Sequence, residues 1–274
     1  MVKIRTLMDN LSSEHKSLIA EHGLSFYIET EQTGILFDFG AGENTWINAA
    51  KLNIPLEKIG YLVFSHSHYD HAAGFIPLAE QGIRKTVIHG PEFFQEKYAL
   101  GEHKYTYLGC GFTEAYLKQH STDEIICDGM YQIDRQIYVI GKFDRTHEFE
   151  QVPARFVKDS PAGMVQDLFE DEICLAIDTP KGLIVIVGCS HPGIMNMLRT
   201  VKDRLNRPIH AVIGGTHLVE ADEERVKKSI EEMKSMGIVL LGINHCSGAL
   251  AEQMIREDPQ VSSCHLGVGD CLIF

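Results

Sequence analysis

Four potential metal ligands lie within six residues in the first third of the chain. They are His66, His68, Asp70 and His71. The apolar run at 61–64 before them predicts a buried β-strand, and the small residues after them are typical of a helix start. Two histidines separated by one residue at a strand end project to the same side. So many imidazoles at this spacing predict a metal site.

Three more histidines follow predicted buried strands later in the chain. They are His191, His217 and His245, each with a glycine nearby that relaxes the backbone. In α/β sheets, binding sites gather at the C-terminal ends of strands. We therefore predict that His191 and His245 bind metal. For His217, a ligand role and the role of a hydrogen-bonded loop residue both stay open.

The elements that must position these residues form two β-rich halves, each followed by helices. Apolar hairpins are predicted at 24–39 and 173–187. Helices are predicted at 44–52, 75–81, 192–204, 221–236 and 247–256, and further strands at 1–7, 86–89, 136–140, 209–213, 238–243 and 270–274. We find no linker rich in Pro, Gly or Ser, so we expect one domain over residues 1–274.

An irregular, aromatic-rich insert is predicted at about 91–171. Its rings include Tyr98, Tyr105, Tyr107, Phe112 and Tyr116. Two interpretations stay open at this point. The insert covers a substrate pocket, or it is a structural excursion that packs its own rings.

The composition narrows the class of partner. The chain has 274 residues, of which 44% are hydrophobic and 23% charged, and a formal net charge of −13. This charge disfavours a nucleic-acid backbone or an anionic membrane as partner. No apolar run approaches the roughly 18 residues of a membrane span, and the start of the chain lacks the apolar region of a signal peptide. We expect a cytoplasmic protein with a small-molecule substrate, and the sequence leaves its oligomeric state undetermined.

The seven cysteines do not form a Cys-x-x-Cys pair. Their odd number and scattered positions do not indicate a disulfide framework. A reducing compartment suits them best.

Taken together, these motifs resemble the metallo-β-lactamase superfamily. The signature His-x-His-x-Asp-His is matched in full at 66–71, and the later single histidines after strands match as well. The segments at 188–194, 214–218 and 245–248 resemble a branch similar to the dihydropterin-methyl-ribofuranosylaminobenzene-phosphate synthase. The resemblance implies an α/β fold, the four-layer αβ/βα sandwich of two mixed β-sheets flanked by helices, with a dinuclear metal site at one sheet edge.

The resemblance also implies a division of the ligands between two metal ions. His66, His68 and His191 would hold the first ion, and Asp70, His71 and His245 would hold the second. The superfamily usually has a bridging aspartate after a strand between the last two ligand histidines. This chain has Gly215-Thr216-His217 there instead. His217 or Cys189 is the candidate to replace the aspartate, with His147 as a weaker one.

Imidazole and carboxylate ligands suit two Zn²⁺ ions, with Mn²⁺ or Fe²⁺ as alternatives. Six ligands shared by two ions leave open coordination positions, which is typical of a catalytic site. A bound water has its pKa lowered to roughly 7 and can attack a carbonyl or phosphoryl centre as hydroxide. We therefore expect a metal-dependent hydrolase of a small ester, lactone or phosphoester, with Asp70 and His217 as the catalytic candidates.

The branch name implies a different reaction, the condensation of a pterin diphosphate with an aryl ribose phosphate. Two further alternatives come from other classes. Flavodiiron proteins share the fold but have a carboxylate where this chain has His68, which disfavours a di-iron redox enzyme. A metal-binding sensor without turnover is disfavoured by the intact ligand set.

Overall fold

Two apolar hairpins organise the protein, since each lies inside a seven-stranded mixed sheet. Their side chains are buried along almost the whole length of both strands, which explains why the sequence has continuous apolar runs there rather than clean alternation. The computed structural model describes all residues from Met1 to Phe274.

The chain contains eighteen strands and seven α-helices. The strands are β1 (Lys3–Met8), β2 (Ser25–Glu29), β3 (Gly34–Phe37), β4 (Ile59–Val63), β5 (Thr86–His89), β6 (Lys97–Leu100), β7 (Tyr105–Tyr107), β8 (Asp123–Ile126), β9 (Met130–Asp134), β10 (Ile137–Gly141), β11 (Phe156–Lys158), β12 (Val165–Gln166), β13 (Ile173–Thr179), β14 (Gly182–Val187), β15 (Ile209–Gly214), β16 (Leu240–Ile243), β17 (Ser262–His265) and β18 (Cys271–Ile273). The helices are α1 (Asn44–Lys51), α2 (Tyr69–Ala72), α3 (Phe75–Glu80), α4 (Glu114–His120), α5 (Ile194–Leu205), α6 (Glu223–Ser235) and α7 (Ala249–Glu257).

The chain divides into two compact units that interleave along the sequence. The first unit comprises Met1–Ile126, Pro153–Asp171 and Gly267–Phe274, and the second comprises Cys127–Val152 and Glu172–Leu266. The predicted insert therefore contributes to both units.

The first unit has a sheet in the order β18-β1-β2-β3-β4-β5-β8. Strands β3, β4, β5 and β8 run parallel to one another, so β3, β4 and β5 end at the same edge. Helices α1 and α3 bury an aromatic core that includes Phe39, Trp46, Phe64 and Phe75. A second, antiparallel sheet of four strands has the order β12-β11-β6-β7.

The second unit has a sheet in the order β17-β16-β15-β14-β13-β10-β9. Strands β14 to β17 are parallel, and the others pair antiparallel. Helices α5, α6 and α7 place an apolar stripe on the core, with Leu198, Val226, Ile230 and Ile255 among its members. The parallel strands bring the loops after β14, β15 and β16 to one edge of this sheet.

The structure confirms the predicted elements outside the insert, with ends that shift by at most two residues. Helix α6, for example, starts two residues later than expected because Asp222 caps it by accepting a hydrogen bond from the backbone N–H of Arg225. In the insert, strand β10 confirms the strand predicted at 136–140. The other strands of the insert and β17 were not predicted, since runs of two to five residues carry little periodicity. The expectation of mixed sheets flanked by helices is confirmed, whereas the single domain over 1–274 stays a prediction.

No helix of the protein combines the length and the apolar character that crossing a membrane requires.

Candidate metal centre

The motif histidines of the first unit lie where strand β4 ends. Phe64 and Ser65 leave the strand, His66 and His68 follow, and the short helix α2 carries Asp70 and His71. All four residues are buried, with exposed fractions between 0% and 6% for the whole residue. The ring centroid of His66 is 4.7 Å from that of His68 and 4.3 Å from that of His71. The structure thus brings three imidazoles of the motif together.

Asp38 orients two of these imidazoles. It follows β3, the strand parallel to β4, and its Oδ2 lies 2.6 Å from Nδ1 of His71. The hydroxyl of Ser65 donates its one proton to the same carboxylate at 2.7 Å and lies 2.9 Å from Nδ1 of His66. Because that proton is used, Nδ1 of His66 must be the donor to the hydroxyl. With Nδ1 engaged in this way, Nε2 is the atom of each imidazole that can bind a metal ion.

Sequence reasoning missed Asp38. An available signal was its position directly after a buried strand that is predicted to neighbour the motif strand. Its backbone φ of 57° is an uncommon value for a residue other than glycine, and such strain concentrates at functional sites. Burial also lowers the pKa of His66 well below its usual value, which keeps that imidazole neutral.

Asp70 has a second neighbour that the sequence did not indicate. Its Oδ2 lies 3.1 Å from Nε2 of His22 and 3.8 Å from Nε2 of His71. The side chain of His22 is 59% exposed, whereas that of Asp70 is 8% exposed. Asp70 therefore lies at the boundary between the buried imidazoles and the solvent.

A buried ion pair holds the loop between His66 and His68. Asp171 accepts a hydrogen bond from the backbone N–H of Ser67 at 2.9 Å and contacts Nζ of Lys97 at 2.5 Å. Lys97 is only 2% exposed and also reaches Asp167 at 3.0 Å. Burial opposes the charge of Lys97, but the two carboxylates outweigh it and raise its pKa. The charged lysine and Asp171 thus fix the backbone of the motif loop.

Two aromatic rings of the insert lie beside the motif. The ring of His68 is 5.7 Å from that of Phe156 and 5.2 Å from that of Phe169, measured between centroids. Part of the insert therefore packs on a predicted metal ligand. The interpretation of the insert as a cover for a substrate pocket stays a prediction.

In the second unit, the three predicted histidines follow three parallel strands. His191 comes after β14, His217 after β15 and His245 after β16. The ring centroids of His191 and His217 lie 4.2 Å apart. His217 and His245 have φ values of 48° and 54°, and Ser190 beside His191 has 63°. Three strained, non-glycine residues in adjacent loops are typical of a site whose geometry is imposed for function.

Buried carboxylates hold the loop of His191. Glu172 accepts hydrogen bonds from the backbone N–H groups of Ser190 and His191. Glu150 accepts from the first turn of α5, at 2.9 Å from Met195 N and 2.7 Å from Asn196 N. The loop is therefore fixed on both sides of the histidine.

Two thiols lie beside His217. The ligand atoms of Cys189, His217 and Cys246 all lie within 4.8 Å of one another, and the three residues are buried. Sequence reasoning named Cys189 and His217 but missed Cys246. Burial disfavours a positive charge on His217, yet hydrogen bonds with Cys246 and Glu220 outweigh it and raise the pKa of His217 to about 9. In the same way, contacts with Cys189 and His217 outweigh burial and hold the pKa of Cys246 well below its usual value.

His147, the weaker candidate, lies in a different environment. Its Nε2 contacts Glu232 at 2.8 Å, and its Nδ1 is 3.2 Å from the side-chain oxygen of Asn196. It belongs to no group of converging ligands in the second unit. His147 therefore contacts a carboxylate and an amide instead of other potential metal ligands.

The donor sets of both units fit divalent metal ions. In the first unit, His66 and His71 have Nδ1 fixed by a hydroxyl and a carboxylate, as metal-binding histidines commonly do. In the second unit, Cys189 and Cys246 would add affinity for Zn²⁺ as thiolates. The structure thus contains side-chain groups that can hold a metal. The division of the six predicted ligands between two ions stays a prediction.

Comparison with known proteins points in the same direction. The sequence profile of the metallo-β-lactamase superfamily matches residues 18–140. A relative from Methanocaldococcus jannaschii, 7,8-dihydropterin-6-methyl-4-(β-D-ribofuranosyl)-aminobenzene-5'-phosphate synthase, is 32% identical over 94% of this chain and 91% of its own.

Solved structures show the same fold. The structure of Tm1679, described as a metal-dependent hydrolase of the β-lactamase superfamily, superposes with a TM-score of 0.86 and 28% identity, covering 100% of this chain and 99% of its own. The metallo-β-lactamase fold protein YhfI from Bacillus subtilis has a TM-score of 0.59 at 10% identity, with 100% of both chains covered. The chain has the metallo-β-lactamase fold, and it belongs to the metallo-β-lactamase superfamily, in the branch similar to the dihydropterin-methyl-ribofuranosylaminobenzene-phosphate synthase.

Proposed function

We propose that this protein is a metal-dependent transferase that joins a pterin diphosphate to an aryl ribose phosphate. The observation that carries the proposal is the 32% identity, over nearly the whole of both chains, to a relative with that synthase name. In this reaction a bond forms between the aminobenzene nitrogen and the pterin methylene carbon. The bond from that carbon to the diphosphate oxygen breaks, diphosphate leaves, and the nitrogen loses a proton.

We propose that His66, His68 and His191 hold one metal ion and that Asp70, His71 and His245 hold the other. The fit of Asp38 to His71 and of Ser65 to His66 supports the first-unit half of this set. The strained backbone at Ser190, beside His191, and at His245 supports the second-unit half. Bound divalent ions would supply positive charge that stabilises the diphosphate leaving group.

The side chains of the protein have separate tasks in this proposal. Asp38 and Ser65 fix the tautomers of two imidazoles, and Asp171 with Lys97 fixes the loop that carries them. Asp70, at the solvent boundary, orients the attacking nucleophile. His217 or Cys189, from neighbouring loops, takes the place of the missing bridging aspartate.

A direct assay tests the proposal. Purified protein, reconstituted with Zn²⁺, Mn²⁺ or Fe²⁺, is incubated with the pterin diphosphate and the aryl ribose phosphate, and the joined product and free diphosphate are measured. We expect both products in equal amounts. Substitutions His68→Ala and Asp70→Asn are expected to lower kcat at least 100-fold. The matched control is His103→Ala, which changes a histidine whose side chain is 85% exposed.

Hydrolysis is the second candidate. It is favoured by the 28% identity to Tm1679, whose description is a metal-dependent hydrolase. The same protein is therefore tested on small esters, lactones and phosphoesters. Turnover of one of these substrates without any joined pterin product would overturn the transferase and support the hydrolase.

A further inference from the structure

The second unit contains a cluster of ligands that the family signature does not include. Cys189, His217 and Cys246 are all buried, and their ligand atoms lie within 4.8 Å of one another. Neither cysteine is part of a disulfide. All three residues belong to the loops that follow the parallel strands β14, β15 and β16.

Hydrogen bonds to backbone carbonyls hold these three loops together. Ser190 Oγ donates to the carbonyl of Gly215 at 2.8 Å, and the N–H of Val219 donates to the carbonyl of Cys246 at 3.2 Å. Gly215 is required for the approach, since a Cβ at this position would lie 2.5 Å from Sγ of Cys246. The sequence therefore leaves room for a thiol directly beside the loop in which the superfamily usually has its bridging aspartate.

The spacing suits a single metal ion. In a tetrahedral Zn²⁺ site with Zn–S bonds of about 2.3 Å, neighbouring ligand atoms lie about 3.8 Å apart. Ligand atoms within 4.8 Å of one another exceed this spacing by no more than about 1 Å. Two thiolates and one imidazole form a ligand set that selects Zn²⁺ over Mn²⁺.

We propose that Cys189, His217 and Cys246 form a thiolate-rich site for one divalent zinc-type ion, in place of the aspartate that this chain lacks. The proposal rests on the proposed metal enzyme. It differs from the assignment of six ligands to two ions because its three ligands, two sulfurs and the imidazole of His217, are not among those six.

Cobalt substitution tests this site without reference to turnover. Metal-stripped, reduced protein is titrated with Co²⁺, and the near-ultraviolet absorption that arises only from thiolate bound to cobalt is recorded. We expect this band in the wild-type protein. Each of Cys189→Ser and Cys246→Ser should lose about half of it, and the double variant should lose all of it. His217→Ala should weaken Co²⁺ binding at least 10-fold.

Two controls isolate the effect. Cys264→Ser changes a half-buried cysteine on β17 in the same unit and should keep the full band. His66→Ala removes a ligand of the family signature and should keep the sulfur band while lowering the number of ions bound. Circular dichroism of every variant confirms that it is folded.

The outcomes separate this proposal from the proposed function. Co²⁺ binding without a sulfur band would overturn the thiolate site and leave the six-residue centre standing. A band that persists in the double cysteine variant would overturn the thiolate site as well. The absence of any Co²⁺ binding would overturn both proposals.

Discussion

Buried carboxylates determine how the imidazoles of the candidate centre are oriented. Asp38 contacts Nδ1 of His71 at 2.6 Å, and through Ser65 it also fixes His66. A fixed tautomer leaves Nε2 as the atom that binds a metal ion. The entropy cost of orienting the ring then falls on folding and not on metal binding. Such supporting groups contribute to metal affinity almost as ligands do.

The first prediction concerns this residue. Asp38→Asn removes the charge that holds His71, and we expect metal affinity to fall roughly 10- to 100-fold. Competition with a chromophoric chelator measures the change. Ser25→Ala is the matched control, because the Ser25 hydroxyl donates to the backbone carbonyl of Asp38 and does not touch its carboxylate. An unchanged affinity in Asp38→Asn would show that the carboxylate does not support the site.

Every predicted ligand lies in a loop or short helix that follows a parallel strand, and charged groups from other elements anchor two of these segments. Lys97 on β6 and Asp171 anchor the motif loop at Ser67. Glu150 anchors the start of α5, whose N-cap residue Gly193 has no side chain to cap the helix. Gly193 is also necessary, since a Cβ there would lie 2.3 Å from the carboxylate of Glu150.

Removal of the buried lysine gives the second prediction. Lys97→Met leaves Asp167 and Asp171 buried without their counter-charge, which should lower the free energy of unfolding by about 3–5 kcal/mol. Urea denaturation measures this change. Lys104→Met, at an exposed position, should change the free energy by no more than about 0.5 kcal/mol. Equal stabilities of the two variants would contradict the proposed role of the ion pair.

The third prediction concerns the cap of α5. Glu150→Ala leaves the buried N–H groups of Met195 and Asn196 without their acceptor, and we expect a loss of about 2 kcal/mol in the free energy of unfolding. Thermal and urea unfolding both report it. Glu148→Ala is the control, since Glu148 is exposed. If Glu148→Ala were as destabilising, the loss could not be assigned to the helix cap.

At the scale of the whole molecule, metal binding and folding stability are linked. A ligand that binds only the folded state at about 100 times its Kd adds about 2.7 kcal/mol to the free energy of unfolding. For a chain of this size, that corresponds to a shift in Tm of roughly 5–10 °C. The chain has a net charge of −13, so a bound divalent cation also reduces the repulsion between its own acidic groups.

Metal removal therefore gives the fourth prediction. Chelation and dialysis should lower the Tm of the wild-type protein by roughly 5–10 °C, and added Zn²⁺ should restore it. The double variant His66→Ala/His71→Ala should respond to chelation much less than the wild type. His103→Ala should respond as the wild type does. A Tm that is indifferent to chelation would count against bound metal as a source of stability.

Local patterns in the sequence were sufficient to predict many of the helices and strands. The hairpins at 24–39 and 173–187 and the helices after them were predicted because their periodicity and turn residues act over short distances. Of the strands in the insert, only β10 was predicted, at 136–140. The others were not, since β12, for example, has two residues and both are exposed. Such strands exist because of their neighbours, and their own composition gives no signal.

The sequence by itself determined that His66, His68, Asp70 and His71 lie together in the segment after one strand. Their spacing and the preceding strand can be read from neighbouring residues along the chain. Only the tertiary structure decided which groups support that loop. Asp38 is 33 residues from His71, and Lys97 is 74 residues from Asp171. The physical reason is that hydrogen bonds and ion pairs between distant positions depend on how strands are ordered in a sheet. Residue spacing along the chain does not contain that order.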